Sequence, residues 1–94
     1  MPRLLASDDE ALNLLQEECA EIIQIISKIR RFGFDGYHPN DSLRSTNLEL
    51  LHSEMGDYEA IKRILIDRLI VGDDIINTHA DRKVEKLRKY TTLF

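Results

Sequence analysis

Two pairs of acidic residues in this sequence have a spacing that suits joint chemistry. The first pair is Glu18 and Glu21, the second pair is Glu54 and Asp57, and residues 22–53 separate them. Because residues three apart share one face of an α-helix, each pair presents two carboxylates in the same direction. If the two helices pack against each other, four carboxylates converge.

Each pair includes a glutamate at the centre of an apolar helix face. On a helical wheel with about 100° per residue, the apolar side chains within about 40° of Glu18 include Leu14, Ile22 and Ile25, with Ala11 and Ile29 between them. Those within about 60° of Glu54 are Leu50, Leu51, Tyr58, Ile61 and Leu65. Glu21 and Asp57 lie about 60° to the side, at the edges of these stripes.

The energetic cost of such acids indicates what must neutralise them. An ionised carboxylate in a core costs several kcal/mol or more unless it is paired or binds a metal. Neither segment has a lysine or arginine at a matching core position. All-oxygen ligands suit a hard divalent cation, so the sequence predicts Mg²⁺, with Mn²⁺ as a substitute. The predicted metal ligands are Glu18, Glu21, Glu54 and Asp57.

The elements that must position these acids are long helices. Apolar residues at intervals of three and four predict helices over residues 8–31, 47–71 and 74–89 and no strand. Segments typical of a capping box begin at Ser7 and at Thr46, each with a glutamate three residues later. A loop at 32–46 holds two glycines and a proline. The pattern predicts one all-α domain over residues 1–94, a bundle of about three helices.

Composition excludes several function classes. The 94 residues are 43% hydrophobic and 32% charged, as in ordinary globular domains. No apolar run approaches the roughly 20 residues that a membrane span needs, and a net charge of −4 argues against a nucleic-acid binder. The one cysteine, Cys19, cannot form an internal disulfide, and the N-terminus turns acidic too early for a signal peptide. We therefore expect a cytoplasmic protein. Cys19 lies at a seam position with Leu15 and Ile22, so we expect it to be an inert core residue.

The acid pattern resembles a known signature. Glu17-Glu18-Cys19-Ala20-Glu21, followed by Glu54-Met55-Gly56-Asp57, is similar to the EExxE…ExxD motif of the MazG-like all-α nucleotide pyrophosphohydrolases, especially their short phage and bacterial members. The resemblance covers roughly residues 12–72. It implies hydrolysis of a ribo- or deoxyribonucleoside triphosphate to the monophosphate and pyrophosphate, in nucleotide-pool housekeeping or remodelling. A phage-encoded member would act in the cytoplasm of its host.

The resemblance also implies roles for individual residues. Glu18, Glu21, Glu54 and Asp57 would hold magnesium, and Glu17 would be a further ligand or orient water. Family members supply cations for the phosphates from the last helix, where Lys83, Lys86 and Arg88 match best. Solvated surface charge is the alternative for these three.

The residues themselves add further candidates for substrate binding. Lys28 lies about 20° from Glu21 on the wheel, and Tyr58 is one turn from Glu54. Phe32, Phe34 and Tyr37 offer aromatic faces near the motif, with ordinary packing as the alternative.

Three helices are too few to enclose a four-helix type of site. Family members pair their subunits, and the broad apolar faces of this short chain lead to the same expectation. We expect a homodimer or homotetramer with a nucleoside triphosphate substrate. The rival interpretation is a non-catalytic helical interaction module that uses the acids for structural metal or partner contacts. A third is phosphoribosyl-ATP pyrophosphohydrolase, a relative with the same chemistry.

Overall fold

The computed structural model describes residues 5–94 and consists of three α-helices. In chain order they are α1 (Ala6–Phe32), α2 (Asn47–Asp67) and α3 (Asp73–Tyr90). No strand occurs within the described range, so the predicted all-α class with three helices is confirmed. Within that range no helix has the length and apolar character needed to cross a membrane.

Helix α1 begins earlier than its capping pattern predicts. Leu5 is its N-cap residue, with extended backbone and no side-chain capping bond, and Asp9 N–H donates to Leu5 O at 3.0 Å. Ser7 therefore lies inside the first turn, and the predicted cap at Ser7 is wrong. Acidic residues in that turn, Asp8 and Asp9, interact favourably with the helix dipole, so an early start needs no serine cap.

Helix α1 ends where a glycine takes a conformation closed to other residues. Gly33 has φ 83° and ψ 169°, a region that essentially only glycine adopts. Its N–H donates to Ile29 O at 2.7 Å and satisfies one of the last carbonyls of the helix.

Helix α2 begins as the sequence predicts. The Oγ1 atom of Thr46 accepts a hydrogen bond from Glu49 N–H at 3.1 Å, so Thr46 is the N-cap. The next amide, that of Leu50, donates to Thr46 O at 3.0 Å and opens the helical hydrogen-bond series.

The start of the loop is bonded directly to the first turn of α2, in an arrangement that we call the loop clamp. Asn47 N–H donates to Gly36 O at 2.8 Å, and Leu48 N–H donates to Phe34 O at 2.9 Å. The Asn47 side chain, 5% exposed, donates from Nδ2 to Gly33 O at 3.0 Å. Because the clamp joins the end of α1 to the start of α2, α2 runs back along α1 in an antiparallel direction.

The second half of the loop is organised by one carboxylate. Asp41 accepts backbone N–H bonds from Leu43 and Ser45, each at 2.9 Å. These two bonds are the main cause of a pKa for Asp41 that lies below its usual value. The turn places Arg44 at φ 51°, in the left-handed region.

Helix α2 ends at Asp67, four residues before the predicted end at 71. The Ile70 N–H donates to Leu65 O and the Leu69 N–H donates to Ile66 O, both at 3.0 Å. This pair of bonds is a Schellman motif, which normally has glycine at its left-handed position. Here Leu69 takes that position with φ 61°. The apolar residues 69–71 extend the helical pattern in the sequence, but their amides bond backwards and end the helix.

The chain forms two compact units, one ending at Ile64 and the other running from Leu65 to Phe94. Among the described residues, the buried hydrophobic side chains are Ala11 and Ile25 in the first unit and Leu65 in the second. Several large apolar side chains stay exposed, including Ile23 at 69% and Met55 at 54%. The described residues therefore include few buried hydrophobic side chains.

Candidate metal centre

Four carboxylates from α1 and α2 converge in the first unit. Glu18, Glu21, Glu54 and Asp57 each offer one oxygen, and these oxygens all lie within 4.8 Å of one another. The antiparallel course of α2 accounts for the convergence, because it brings both pairs of acids to the same level. We call this group the acidic cluster.

The inner members of the acidic cluster have oxygens without donors. Glu18 and Glu54 are half-buried, whereas Glu21 and Asp57 are exposed. Within the described part of the chain, the Oε2 atoms of Glu18 and Glu54 are buried and have no hydrogen-bond partner. A buried acceptor left without a donor costs about 1–3 kcal/mol, and more when it is charged. A cation among these oxygens would remove that cost.

Proton affinity reflects the same crowding of acids. The pKa of Glu54 is raised to about 7, first by a hydrogen bond shared with Glu21, then by burial and by repulsion from the other three carboxylates. The pKa of Glu18 is raised as well, by burial first and then by its charged neighbours Glu21 and Asp57. Both shifts favour a bound proton where a divalent cation would compete for the same oxygens.

Glu17 is placed outside the acidic cluster. Its side chain is exposed, and its Oε1 accepts a hydrogen bond from Asn13 Nδ2 at 3.4 Å. Its neighbour Glu18 turns inward while Glu17 faces solvent, so the structure does not bring Glu17 to the four oxygens.

A cavity of about 730 Å³ lies beside the end of α1 and includes Lys28 in its lining. Of the aromatic candidates, Phe32 and Tyr37 line it and Phe34 does not. Sequence reasoning missed Arg31, which also lines the cavity, although its spacing of three from Lys28 was a usable signal. The candidate Tyr58 is half-buried on α2.

The candidates on α3 belong to the second unit. Lys83, Lys86 and Arg88 are exposed. The Nε atom of Arg88 lies 3.3 Å from Glu85 Oε1, and its Cζ atom lies 4.7 Å from the centroid of the Phe94 ring. These contacts occupy Arg88 within its own unit, and the phosphate-binding role of all three residues stays a prediction.

Cys19 is exposed, so the expectation of an inert core cysteine is wrong. The spacing of Cys19 from Leu15 and Ile22 suggested a buried seam. The described core of α1 instead follows Ala11 and Ile25, whose positions on the wheel lie on the side of Glu18.

The arrangement has a defined chemical capacity. Four carboxylates converge from two helices, and two of them have a buried oxygen without a hydrogen-bond donor. Such a set of oxygen ligands matches what Mg²⁺ and Mn²⁺ prefer. The exposed members of the cluster can also accept a proton from water. Comparison with known families, curated proteins and solved structures finds no match to this chain.

Proposed function

We propose that this chain is a Mg²⁺-dependent hydrolase that cleaves nucleoside triphosphates to monophosphate and pyrophosphate, with Mn²⁺ as a substitute metal. The observation that carries the proposal is the convergence of four carboxylates within 4.8 Å, with buried oxygens of Glu18 and Glu54 that lack donors. The resemblance of the acid pattern to the EExxE…ExxD motif supports the reaction class. Nucleotide-pool housekeeping or remodelling in the cytoplasm is the proposed role.

In this proposal Glu18, Glu21, Glu54 and Asp57 hold the metal. Bound magnesium would neutralise phosphate oxygens and lower the pKa of a nearby water. An exposed carboxylate of the cluster takes a proton from the attacking water, whose oxygen forms the new bond to phosphorus. The bond from that phosphorus to its bridging oxygen breaks, and pyrophosphate leaves. Glu17 lies outside the four metal ligands, and in this proposal its exposed side chain orients water rather than binding the metal.

The decisive experiment compares two glutamine variants on the same helix. Glu54→Gln removes one charge from the acidic cluster, whereas Glu49→Gln changes an exposed glutamate outside it. Purified wild-type protein is given Mg²⁺ and a panel of ribo- and deoxyribonucleoside triphosphates plus phosphoribosyl-ATP, and products are identified by chromatography. We expect monophosphate and pyrophosphate from wild type and Glu49→Gln, and a loss of about 100-fold or more in Glu54→Gln. Equal rates for the two variants would exclude the proposed site.

The alternative is a non-catalytic helical interaction module. It is favoured by apolar side chains that stay exposed on both site helices, such as Ile23 and Met55. In that case Mn²⁺ binding, measured by calorimetry, would persist in the wild type and weaken in Glu54→Gln, while no triphosphate on the panel turns over.

A further inference from the structure

The cavity beside the end of α1 has the size and lining of a site for an aromatic anion. Its volume of about 730 Å³ falls within the range of roughly 300–1,000 Å³ that small-molecule sites occupy. The rings of Phe32 and Tyr37 and the side chain of Leu50 supply an apolar wall. Aromatic rings of this kind offer stacking surfaces to a nucleobase.

Cationic side chains border the same cavity. Lys28 and Arg31 line it from consecutive turns of α1, and Asp35 is the one acid among the lining residues. Lys28 has no ion-pair partner between residues 5 and 94, so its charge is available to a ligand. Arg31 lies with its Cζ atom 5.3 Å from the centroid of the Phe32 ring, which holds a cation at the edge of the apolar wall. The lining therefore suits a ligand that joins an aromatic ring to a negative group.

The cavity lies next to the acidic cluster along the same two helices. Lys28 follows Glu21 by seven residues, or two turns and about 10 Å of rise, and differs from it by about 20° on the wheel. Leu50 precedes Glu54 by four residues, about 6 Å of rise, and differs from it by about 40°. A ligand that fills the cavity thus has the acidic cluster one to two turns away on the same face.

We propose that this cavity binds the base and sugar of the nucleotide, and that Lys28 and Arg31 contact the phosphate chain on its way to the acidic cluster. The inference rests on the proposed function, because it assigns the nucleoside part of that substrate. Tyr37 and Phe32 provide the apolar surface for the base, and the cluster receives the phosphates.

The test measures nucleotide binding without turnover. The four ribonucleoside 5′-monophosphates are titrated in the presence of chelator, with amide chemical shifts as the readout and inorganic phosphate as a second probe. Tyr37→Ala is compared with Phe34→Ala, an exposed aromatic on the same loop that lies outside the cavity lining. Lys28→Ala is compared with Arg30→Ala, an exposed cation on the same helix that is also outside it. Helical circular dichroism verifies the fold of each variant.

We expect Tyr37→Ala and Lys28→Ala each to weaken binding of at least one monophosphate by about tenfold, and the two controls to leave it unchanged. Shift changes should concentrate at residues 28–37. Equal weakening by a variant and its control, or phosphate binding as strong as the monophosphates, would overturn the inference. If triphosphates turn over but cavity variants leave monophosphate binding unchanged, the inference fails and the proposed function stands. If binding behaves as expected but nothing turns over, the proposed function fails and the cavity remains a nucleotide site.

Discussion

Glu54 binds its proton more tightly in the folded chain than an ordinary glutamate does. Its pKa rises from 4.5 to about 7 through the hydrogen bond with Glu21, through burial and through repulsion by its neighbours. A raised carboxylate pKa means that the folded state retains a proton that the unfolded state releases. The cluster therefore opposes folding when no cation is bound and the pH is neutral.

This linkage predicts how the metal-free protein responds to pH. Below pH 4.5 the group is protonated in both states, so it has no effect on stability. Between pH 4.5 and 7 the unfolded state releases its proton first, and the contribution of Glu54 to the free energy of unfolding falls as pH rises. Urea titrations in chelator should show this decline in the wild type and a smaller decline in Glu54→Gln. Mg²⁺ should restore more stability at neutral pH in the wild type than in Glu54→Gln. Parallel pH profiles for the two proteins would contradict the assignment.

Substitution of glycine by alanine should have opposite effects on the free energy of unfolding at two positions, Gly36 and Gly56. A Cβ on Gly36 would lie 2.8 Å from the backbone oxygen of Phe32, whereas a Cβ on Gly56 would meet nothing within 4 Å. We expect Gly36→Ala to lower the free energy of unfolding by about 1–3 kcal/mol, because backbone must shift. Gly56→Ala should raise it by about 0.5–1 kcal/mol, because alanine favours a helix interior. Thermal unfolding of the pair would test both signs, and destabilisation of similar size in each would refute the distinction.

At the scale of the element, the end of α2 is strained at one residue. Leu69 takes the left-handed position of the Schellman motif, where a side chain costs roughly 1–2 kcal/mol and glycine costs none. After allowance for the flexibility of glycine in the unfolded chain, Leu69→Gly should stabilise the protein by about 0.5–1 kcal/mol. Ala60→Gly, in the interior of α2, is the control and should lose about 1 kcal/mol. Chemical denaturation measures both, and a loss of stability in Leu69→Gly would show that another contact of this leucine dominates.

The sequence predicts helices correctly where side-chain periodicity or a side-chain cap determines them. The three helices follow from periodicity, and Thr46 caps α2 because its hydroxyl reaches the Glu49 amide. Ser7 begins the same pattern, with a glutamate three residues later, but it does not cap α1. The carbonyl of Leu5 already accepts the first helical hydrogen bond. The end of α2 was missed for a similar reason: apolar residues continue to 71, while backbone bonds from Leu69 and Ile70 close the helix first.

The candidate site, too, is predictable from the sequence where helix periodicity determines it and not where the loop backbone does. The meeting of Glu18, Glu21, Glu54 and Asp57 follows from two helix faces, which a wheel describes. The cavity could be predicted from the sequence only in part. Lys28 belongs to a helix, but the positions of Tyr37 and Asp35 depend on how the loop turns after Gly33. Backbone conformation at a glycine has no periodic signal in the sequence.

At the scale of the whole molecule, the exposed apolar side chains predict association between copies of the chain. Ile23 and Met55 are more than half exposed, and the buried hydrophobic residues within the described range are few. We expect a homodimer or homotetramer in light-scattering or sedimentation experiments. Ile23→Glu should shift the equilibrium toward the monomer, while Gln24→Glu, an exposed polar neighbour, should not. A wild-type monomer at micromolar concentration would rule out the expectation.

The loop clamp makes the position of the acids on α2 independent of the length of the loop that precedes them. Asn47 N–H and Gly36 O are 2.8 Å apart, so the segment between them begins and ends at one hydrogen bond. Asn47 precedes Glu54 by two turns of α2. The clamp therefore fixes where the acids of α2 lie along the helix axis, whatever the number of residues between Gly36 and Asn47. Residues inserted between 37 and 46 would reshape the cavity wall at Tyr37 without shifting the carboxylates. The lining of the cavity can thus change in this region while the four carboxylates of the acidic cluster keep their positions.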